Sequence, residues 1–450
     1  MTRLVVRPAQ KALSGSVPVP SDKSISHRAL IFAALAGGRS RLRGFSYGED
    51  NVATLAAFRA MGVGVEDDTH GTIHVAGKGL FGLSAPAAPI DCGNSGTSMR
   101  LLAGVLAAQP FKSQLIGDAS LSRRPMGRVA EPLRARGAVL RGVPHPKKAG
   151  DITAPLEIGP LPENTRLGPL EYALPIASAQ VKSALLLSGL FAAGPTIVSE
   201  PMVSRDHTER MLDALGMPIQ VTGSIVSLHP PADPNAIGAF DVELPGDISA
   251  AAFLLVAATI VPDSRVTTRH TGLNPTRSGI LDVIRSLGGK IGITPQGDAL
   301  KEPFGEAFAS FAELRGGSVG GELVVRAIDE IPIACALAAR ARGTTEFFDL
   351  EELRVKESDR VATMAGVLRA FGVEVEENPA GLRVEGRPEG ALRAAHVDSH
   401  GDHRVAMTAA VLGLVADGET TIDDVDCIAT SFPRFVGTLR ALGADLEVLP

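Results

Sequence analysis

The stretch Leu368-Arg369-Ala370-Phe371-Gly372 ends an apolar helical run with a glycine, and a β-branched strand pattern follows it. This order indicates a helix, a left-handed glycine cap and then a strand. The pattern recurs five more times, and the six glycines lie 71 to 84 residues apart. The other copies occupy residues 58–62, 133–137, 212–216, 284–288 and 439–443. A unit of this length is too long for a solenoid repeat and suits a small α/β subdomain.

Six repeats predict an α/β protein of two domains with three repeats each. A chain of 450 residues is also too long for one ordinary core. The best break between the third and fourth glycines is Leu244-Pro245-Gly246-Asp247, and Val17-Pro18-Val19-Pro20 provides a second one. Two breaks predict a discontinuous domain I, residues 1–20 plus 245–450, and a domain II of residues 21–244.

Composition excludes several function classes. A net charge of −6 argues against general binding to nucleic acids or membrane surfaces, and the absence of Trp argues against base stacking. The longest apolar run, 250–261, has the length of a core helix and is too short for a membrane span. Cys92, Cys335 and Cys427 lack CxxC spacing, which indicates reduced thiols in the cytoplasm.

Cations recur at predicted helix starts, where the helix dipole disfavours them. Each case alone is equally typical of a solvated helix end. Together they predict helix N-termini from both domains that bind a ligand with several phosphate or carboxylate groups. The cations are Lys23, Arg100, Arg205, Arg360 and Arg404.

Three helix starts leave a local alternative open. Ser358 would cap the helix that starts near Arg360, or Lys356 and Arg360 would hold an anion there. Asp329 precedes another helix, either as its N-cap or as a general base near cations. At the first helix, Ser21 or Asp22 can be the cap.

Three further stretches offer groups that suit a phosphorylated ligand. Residues 91–100 form a glycine-bearing loop, without P-loop spacing, before a helix predicted at 101–108. Residues 118–128 carry three arginines in a predicted loop, where a solvated basic loop is an equal alternative. Residues 177–183 place hydroxyl and amide groups at the start of an apolar helix.

A metal site is the alternative reading of residues 396–404, which contain three histidines and two aspartates. Their spacing fits no common ligand frame, and Arg404 would repel a metal cation. The sequence therefore predicts neither a metal nor another cofactor.

These motifs resemble, over nearly the whole chain, the 5-enolpyruvylshikimate-3-phosphate synthase family, in particular its divergent class II-like subgroup. The resemblance implies the two-domain enolpyruvyl transferase fold, an inside-out α/β barrel of six βαβαββ repeats that closes on substrate. The motifs are Asp22-Lys23-Ser24, Asn94-Ser95-Gly96-Thr97, Arg124-Pro125-Met126-Gly127-Arg128, Ser178-Ala179-Gln180, Asp329-Glu330, the stretch 353–360 and Asp402-His403-Arg404.

The resemblance also implies transfer of the enolpyruvyl group of phosphoenolpyruvate to the 5-hydroxyl of shikimate 3-phosphate, on the route to chorismate and aromatic amino acids. Asp329, Glu357 and Lys23 would be catalytic. The phosphoenolpyruvate site would comprise Lys23, Gly96, Arg124, Arg360 and Arg404. The shikimate 3-phosphate site would comprise Lys23, Ser24, Arg28, Ser178, Gln180, Arg205, Asp329 and Lys356. Domain I would carry Asp329, Glu357 and Arg404, and domain II Lys23, Arg124, Ser178 and Arg205. A cytoplasmic monomer is expected.

The sequence departs from the family pattern at two positions. Thr430-Ser431-Phe432-Pro433 lacks the lysine that many members carry before Phe-Pro, and Ser21 replaces a glycine. Gly96 lacks the alanine methyl that narrows the inhibitor site of some glyphosate-tolerant members, so we expect partial sensitivity to glyphosate.

Three rival functions differ from this interpretation in testable ways. UDP-N-acetylglucosamine enolpyruvyl transferase shares the fold and chemistry. Its characteristic loop cysteine would align near Ala119, and this chain has no cysteine there. An RNA 3′-phosphate cyclase suits this acidic, aromatic-poor chain poorly. A non-catalytic sensor of phosphorylated acids is a third alternative, against which Asp329 and Glu357 argue.

Overall fold

The computed structural model describes residues 2–68 and 71–450, which divide into two compact units. Unit 1 comprises the chain up to Pro20, Pro245–Gly297 and Pro303–Pro450, and unit 2 comprises Ser21–Leu244 and Asp298–Glu302. Two chain crossings, after Pro20 and after Leu244, coincide with the two breaks read from the sequence. Asp298–Glu302 also belongs to unit 2, which was not predicted because its contacts are distant in sequence.

The described residues form 26 strands, 13 α-helices and three short 3₁₀ helices. The strands are β1 Arg3–Val6, β2 Ser14–Pro18, β3 Gly37–Arg43, β4 Gly64–Asp67, β5 Thr72–Lys78, β6 Ile90–Asp91, β7 Ser113–Ile116, β8 Leu140–Pro144, β9 Ile152–Ile158, β10 Leu170–Ala173, β11 Thr196–Ser199, β12 Ile219–Thr222, β13 Ile225–Leu228, β14 Asp241–Glu243, β15 Arg265–Gly272, β16 Lys290–Ala299, β17 Glu302–Ser310, β18 Leu314–Arg315, β19 Ser318–Val319, β20 Ala341–Arg342, β21 Thr344–Phe347, β22 Glu374–Asn378, β23 Gly381–Glu385, β24 His396–Asp398, β25 Thr420–Asp423 and β26 Leu446–Leu449. The helices are α1 Lys23–Leu35, α2 Glu49–Ala60, α3 Gly96–Leu106, α4 Gly127–Ala135, α5 Ala179–Gly189, α6 His207–Ala214, α7 Ile248–Ile260, α8 Gly279–Ser286, α9 Glu322–Ala327, α10 Ile331–Arg340, α11 Arg360–Ala370, α12 His403–Gly413 and α13 Phe435–Ala441.

Six four-stranded sheets share one plan. In the sheet β6-β7-β9-β8, β6 pairs parallel with β7, and β9 pairs antiparallel with both β7 and β8. With α3 and α4 between its strands, this repeat has the order βαβαββ. Unit 2 contains this sheet together with β14-β3-β5-β4 and β10-β11-β13-β12, and unit 1 contains β2-β15-β17-β16, β19-β21-β23-β22 and β24-β25-β1-β26.

The six predicted glycines all lie just after the last helix of a repeat. Their φ angles range from +76° to +107°, in the region that side chains with a Cβ atom rarely adopt. After five of them the following strand pairs with the next strand in the chain, as β22 does with β23 after Gly372, and after Gly443 β26 pairs with β1. The helix–glycine–strand prediction is therefore confirmed in every repeat.

One helix of each repeat is buried in the core of its unit, namely α1, α3, α5, α7, α10 and α12. All thirteen residues of α7 are buried, because this helix is apolar on every side. It begins two residues before the predicted run because the Asp247 side chain accepts a hydrogen bond from Ser249 N. The edge strands β12 and β22 are mostly exposed, whereas α7 and the other core helices are mostly buried, so helices form much of the interior of each unit. No helix in the described part is long and apolar enough to cross a membrane.

Candidate active site

The predicted site residues lie at or near helix N-termini in both units. Lys23 and Arg360 are the first residues of α1 and α11, and Arg404 is the second residue of α12. Ser178 caps α5, and Arg205 lies two residues before α6. Each of these helices follows a strand of a parallel pair or the loop after it, which is where α/β proteins place ligand-binding groups.

Two local predictions were wrong. Asp359 caps α11, because its side chain accepts from Ala362 N, whereas Ser358 donates from Oγ to Asp402. Arg100 lies in the second turn of α3, which starts at Gly96 because Ser95 provides an earlier cap.

The other caps can also be assigned. Of the two candidate caps of α1, Asp22 accepts from Ile25 N and Ser21 is not the cap. Asp329 is not an N-cap, since Glu330 occupies that position before α10. The predicted loop 118–128 contains a 3₁₀ turn, and its Arg128 lies within α4.

In unit 1, Arg360 lies at the centre of a group of carboxylates. Its Nη2 is 2.6 Å from Glu357 Oε2, its Nε is 2.8 Å from Asp402 Oδ2, and its Nη1 is 3.7 Å from Asp329 Oδ1. Burial alone would lower the pKa of Arg360, but these negative charges outweigh it and raise that pKa. Burial alone would raise the pKa of Asp402, and the charge of Arg360 instead holds it below its usual value.

Two further arginines, Arg404 and Arg277, hold the chain around Asp329. Arg404 donates from Nη1 to Asp329 O over 2.7 Å, and its guanidinium lies 3.6 Å from Glu330. Glu330 accepts from Arg277 Nη1 at 2.8 Å on both carboxylate oxygens and also bonds to Ser249. These buried contacts fix Asp329 and Arg404 relative to each other.

Lys356 is half-buried near the same carboxylates. Burial lowers the pKa of its ammonium group, Asp329 opposes that shift, and the neighbouring charge of Arg360 adds to it. The ammonium of Lys356 therefore loses its proton more readily than an exposed lysine.

In unit 2, Lys23 is paired with a carboxylate on the next helix. Its Nζ lies 2.9 Å from Asp50 Oδ2, and Asn51 Nδ2 donates to Lys23 O. Beneath it, His27 Nδ1 lies 2.8 Å from Thr54 Oγ1. Complete burial lowers the pKa of His27 to about 3, so this ring is neutral.

Gly96 lies against two arginines at the start of α3. A methyl group at this position would be 2.8 Å from Arg100 Nη1 and 3.4 Å from Arg124 Nη1. Arg100 Nη1 donates to Gln180 Oε1 over 2.7 Å, and Arg124 donates to the backbone and side chain of Asn94. The structure thus brings Gly96, Arg124 and Gln180 together around Arg100.

Arg28, which was predicted to hold shikimate 3-phosphate, is buried beneath Ser24. Its three nitrogens donate to Thr208 Oγ1, Ser24 O and Ser183 Oγ over 2.7 to 2.9 Å. Burial lowers the pKa of Arg28 to about 10.

Within residues 2–68 and 71–450, no three His, Cys, Asp or Glu side chains are arranged to hold a metal ion. Two of the three histidines in the stretch 396–404 lie beside carboxylates: His396 Nε2 is 2.5 Å from Asp423, and His400 Nδ1 is 3.6 Å from Asp398.

Sequence reasoning missed Asp50, Asp247, Arg277 and Glu330 as members of the site, and it noticed Asp402 only within a family motif and as a candidate metal ligand. Each missed residue lies at a helix start, as Asp50 does in the first turn of α2. A search for carboxylates as well as cations at helix starts would have found most of them.

Comparisons with known proteins agree with this fold. The family model described as EPSP synthase (3-phosphoshikimate 1-carboxyvinyltransferase) matches residues 8–439. A 3-phosphoshikimate 1-carboxyvinyltransferase of Acidithiobacillus ferrooxidans is 49% identical over 448 residues, covering 100% of this chain and 99% of that protein. The enzyme of the same name from Geobacter sp. strain M21 is 48% identical over 439 residues, covering 98% and 99%.

Solved structures give the same result. An EPSP synthase from Acinetobacter baumannii superposes with a TM-score of 0.88 at 39% identity, covering all of both chains. The enolpyruvyl transferase NikO from Streptomyces tendae, at 19% identity and a TM-score of 0.75, covers 100% of this chain and 99% of its own and shares the fold.

Six βαβαββ repeats with ion-paired arginines at helix starts define an enolpyruvyl transferase. Within that class, the chain belongs to the EPSP synthase family. It is an enzyme, a 3-phosphoshikimate 1-carboxyvinyltransferase of aromatic biosynthesis.

Proposed function

We propose that the protein transfers the enolpyruvyl group of phosphoenolpyruvate to the 5-hydroxyl of shikimate 3-phosphate by addition and elimination. A proton adds to the methylene carbon while the 5-hydroxyl oxygen bonds to the adjacent carbon, which gives a tetrahedral intermediate. Loss of phosphate and of one methyl proton then restores the double bond. The observation that carries this proposal is the pair of partly exposed carboxylates, Asp329 and Glu357, held beside the Arg360 guanidinium.

Binding of phosphoenolpyruvate is assigned to cations and to one backbone position. Lys23, Arg124, Arg360 and Arg404 supply positive charge, and the bare backbone of Gly96 at the start of α3 lets an anion approach the helix. Arginine guanidinium groups suit carboxylate and phosphate oxygens because they donate in a fork. The carboxylates that now pair with Arg360 keep it oriented.

Shikimate 3-phosphate is assigned to Lys23, Ser24, Ser178, Gln180, Arg205, Asp329 and Lys356. Arg28 completes this set from below, because it is buried and donates to Ser24 O. Ser178 also caps α5, so its hydroxyl already has a fixed direction.

The two carboxylates divide the proton transfers. Glu357 would deliver the proton to the methylene carbon, and Asp329 would accept the proton of the 5-hydroxyl, with Lys23 assisting. The side chains of Glu357 and Asp329 are 28% and 17% exposed, so both are accessible to a substrate. Each lies within 4 Å of the same guanidinium, which stabilises the ionised form of whichever has lost its proton.

The decisive assay measures phosphate release from phosphoenolpyruvate with shikimate 3-phosphate or with UDP-N-acetylglucosamine. We expect turnover only with shikimate 3-phosphate. Activity solely with the nucleotide sugar would favour a UDP-N-acetylglucosamine enolpyruvyl transferase, and binding of shikimate 3-phosphate without turnover would favour a non-catalytic sensor. The family match over residues 8–439 already argues against both.

Glu357→Gln tests the proton transfer. We expect kcat to fall at least ~100-fold, as is typical when a general acid is removed, while both substrates still bind in a titration. Glu351→Gln, an exposed carboxylate in the same segment, is the matched control and should retain activity. Equal loss of binding and turnover in Glu357→Gln would instead assign Glu357 a structural role.

We also propose a cytoplasmic monomer. Cys92, Cys335 and Cys427 are all free thiols, as expected in a reducing compartment. Each unit buries its own apolar core, which supports a monomer. Sedimentation equilibrium should return a mass of 46.7 kDa, and a doubled mass would contradict this proposal.

Glyphosate should compete with phosphoenolpyruvate, and the enzyme should be partly sensitive to it. Gly96 carries no methyl group that would crowd Arg100 and Arg124, which supports access of the inhibitor. The absence of a lysine before Phe432 removes one cation from the family pattern, which weakens binding. An inhibition pattern independent of phosphoenolpyruvate concentration would refute competition.

A further inference from the structure

A buried ion cluster in unit 2 takes no direct part in the proposed chemistry. Lys182, on α5, lies with its Nζ 2.5 Å from Glu200 Oε1 and 2.6 Å from Glu209 Oε1. The side chains of Lys182 and Glu200 are 1% exposed and that of Glu209 is 3% exposed. Because burying three charges is costly, such a cluster needs a structural or functional explanation.

The ion pairs of the cluster hold both ends of the loop 200–206. Glu200 begins this loop directly after β11, and Glu209 lies in the first turn of α6, just beyond its end. Ser204, inside the loop, donates to Glu200 from its backbone N over 3.2 Å and from Oγ over 2.5 Å, and its carbonyl lies 3.4 Å from Lys182 Nζ. The neighbouring residue is Arg205.

A second set of contacts joins the same two helices beside the ion cluster. It involves Ser183, which follows Lys182 on α5, and Thr208, which precedes Glu209 on α6. Thr208 Oγ1 donates to Ser183 Oγ over 2.7 Å, and Arg28 donates to both hydroxyl oxygens. The loop that carries Arg205 is thus joined to α5 and, through Arg28, to α1. The charge of Arg205 in turn lowers the pKa of Arg28, so the two guanidinium groups lie within electrostatic range.

The cluster combines one ammonium group with two carboxyl groups. Burial would lower the pKa of Lys182, but Glu209 and Glu200 outweigh it and raise that pKa, so the lysine stays charged. Burial raises the pKa of Glu209, and Lys182 opposes only part of this shift. Within the described residues, Glu209 Oε2 has no hydrogen-bond partner, so Glu209 interacts mainly through its other oxygen.

We propose that Lys182, Glu200 and Ser204 are positioning residues that hold the loop 200–206 so that Arg205 meets the phosphate-bearing substrate. This inference rests on the proposed role of Arg205 in binding shikimate 3-phosphate. A loop that is pinned at its start, its middle and its end loses little entropy when Arg205 binds an anion. Release of Glu200 would free the segment before Arg205 without touching the substrate.

The test compares Glu200→Ala with Glu200→Gln in the full-length enzyme. We expect Glu200→Ala to raise KM for shikimate 3-phosphate about tenfold, with KM for phosphoenolpyruvate and kcat changed less than about twofold. Glu200→Gln keeps the length and an oxygen acceptor and should recover most of the affinity. The control is Glu66→Ala, which removes an exposed pair with Arg39 of 2.6 Å in the same unit and should change neither KM.

Coupling to Arg205 separates positioning from a general structural effect. If Glu200 acts through Arg205, Glu200→Ala should raise KM for shikimate 3-phosphate less than about twofold in an Arg205→Gln background. A full tenfold effect in that background would overturn the proposal. If Glu200→Ala does not fold, Ser204→Ala removes a single hydrogen bond and should raise the same KM about threefold.

The outcomes also distinguish this inference from the proposed function. A wild-type enzyme that releases no phosphate with shikimate 3-phosphate would overturn the proposed function and the inference with it. An active wild type together with an unchanged KM in Glu200→Ala, or in Ser204→Ala where the former is unfolded, would overturn the inference alone. Equal changes in both KM values would also overturn it, because they would indicate general damage.

Discussion

Removing the negative charge of Asp402 should destabilise unit 1 strongly. Asp402 is fully buried, and it accepts from Arg360, from Ser358 Oγ and from Arg404 N. In Asp402→Asn the amide oxygen can still cap α12, but its NH₂ group would meet donors. Breaking a buried charge pair costs roughly 3–5 kcal/mol, and the contact of Arg360 with Glu357 favours the lower end, about 3 kcal/mol.

Urea unfolding followed by circular dichroism measures this loss, with separate transitions allowed for the two units. Asp398→Asn is the matched control, because this carboxylate is 58% exposed and lies 3.6 Å from His400. Its replacement should change the free energy of unfolding by less than about 0.5 kcal/mol.

The pH dependence gives an independent check. The folded-state pKa of Asp402 lies below the value of about 3.9 in an unfolded chain. Its stabilising contribution is therefore present above that value and is lost as the pH falls through the folded-state pKa. The gap between wild type and Asp402→Asn should narrow on acidification. A variant within about 0.5 kcal/mol of wild type at neutral pH, or a gap that stays constant at low pH, would refute the reasoning.

Three further predictions follow from single positions. His27 has its pKa lowered to about 3 by burial, so stability present above pH ~6.5 should fall by roughly 1.4 kcal/mol per pH unit below it, relative to His27→Gln; parallel curves in denaturant titrations would contradict this. Gly96→Ala places a methyl 2.8 Å from Arg100 Nη1 and should weaken the binding of phosphoenolpyruvate by roughly 1 kcal/mol, which raises its KM about fivefold. Competition by glyphosate should also become weaker. Unchanged kinetics would count against this crowding. Gly372→Ala, at φ +77°, should lower stability by about 1–2 kcal/mol, whereas Gly366→Ala, inside α11 with open space around its Cβ position, should raise it by up to about 1 kcal/mol in thermal unfolding. Equal effects of these two substitutions would contradict the role of the left-handed cap.

Much of the fold could be predicted because its signals are local. A helical run, a glycine and a β-branched strand lie within about a dozen residues, so each repeat can be recognised from the sequence without tertiary information. Lys23, Arg360 and Arg404 were likewise found at helix starts from sequence alone. Arg100 was misplaced because Ser95 caps α3 earlier than the apolar pattern indicates.

The predictions that failed or were incomplete depend on contacts between distant segments. Serine is a residue type that often caps helices, but Ser358 Oγ donates its hydrogen bond to Asp402, 44 residues further along the chain. Asp359 caps the helix instead. The tip Asp298–Glu302 belongs to unit 2 through contacts such as His207 Nδ1 to Glu302 Oε1 at 2.8 Å. Periodicity carries no information about such partners.

The sequence by itself determined the repeat, the α/β class and the family, because glycine caps, helix starts and motifs are encoded within short stretches. The tertiary structure decided which charges are paired and buried. Arg360 and Asp402 lie 42 residues apart, and Arg277 and Glu330 lie 53 apart, yet each pair meets inside unit 1. Since burial strengthens electrostatic interactions and removes competing water, only the folded chain sets the pKa values of these groups and the orientation of the arginines.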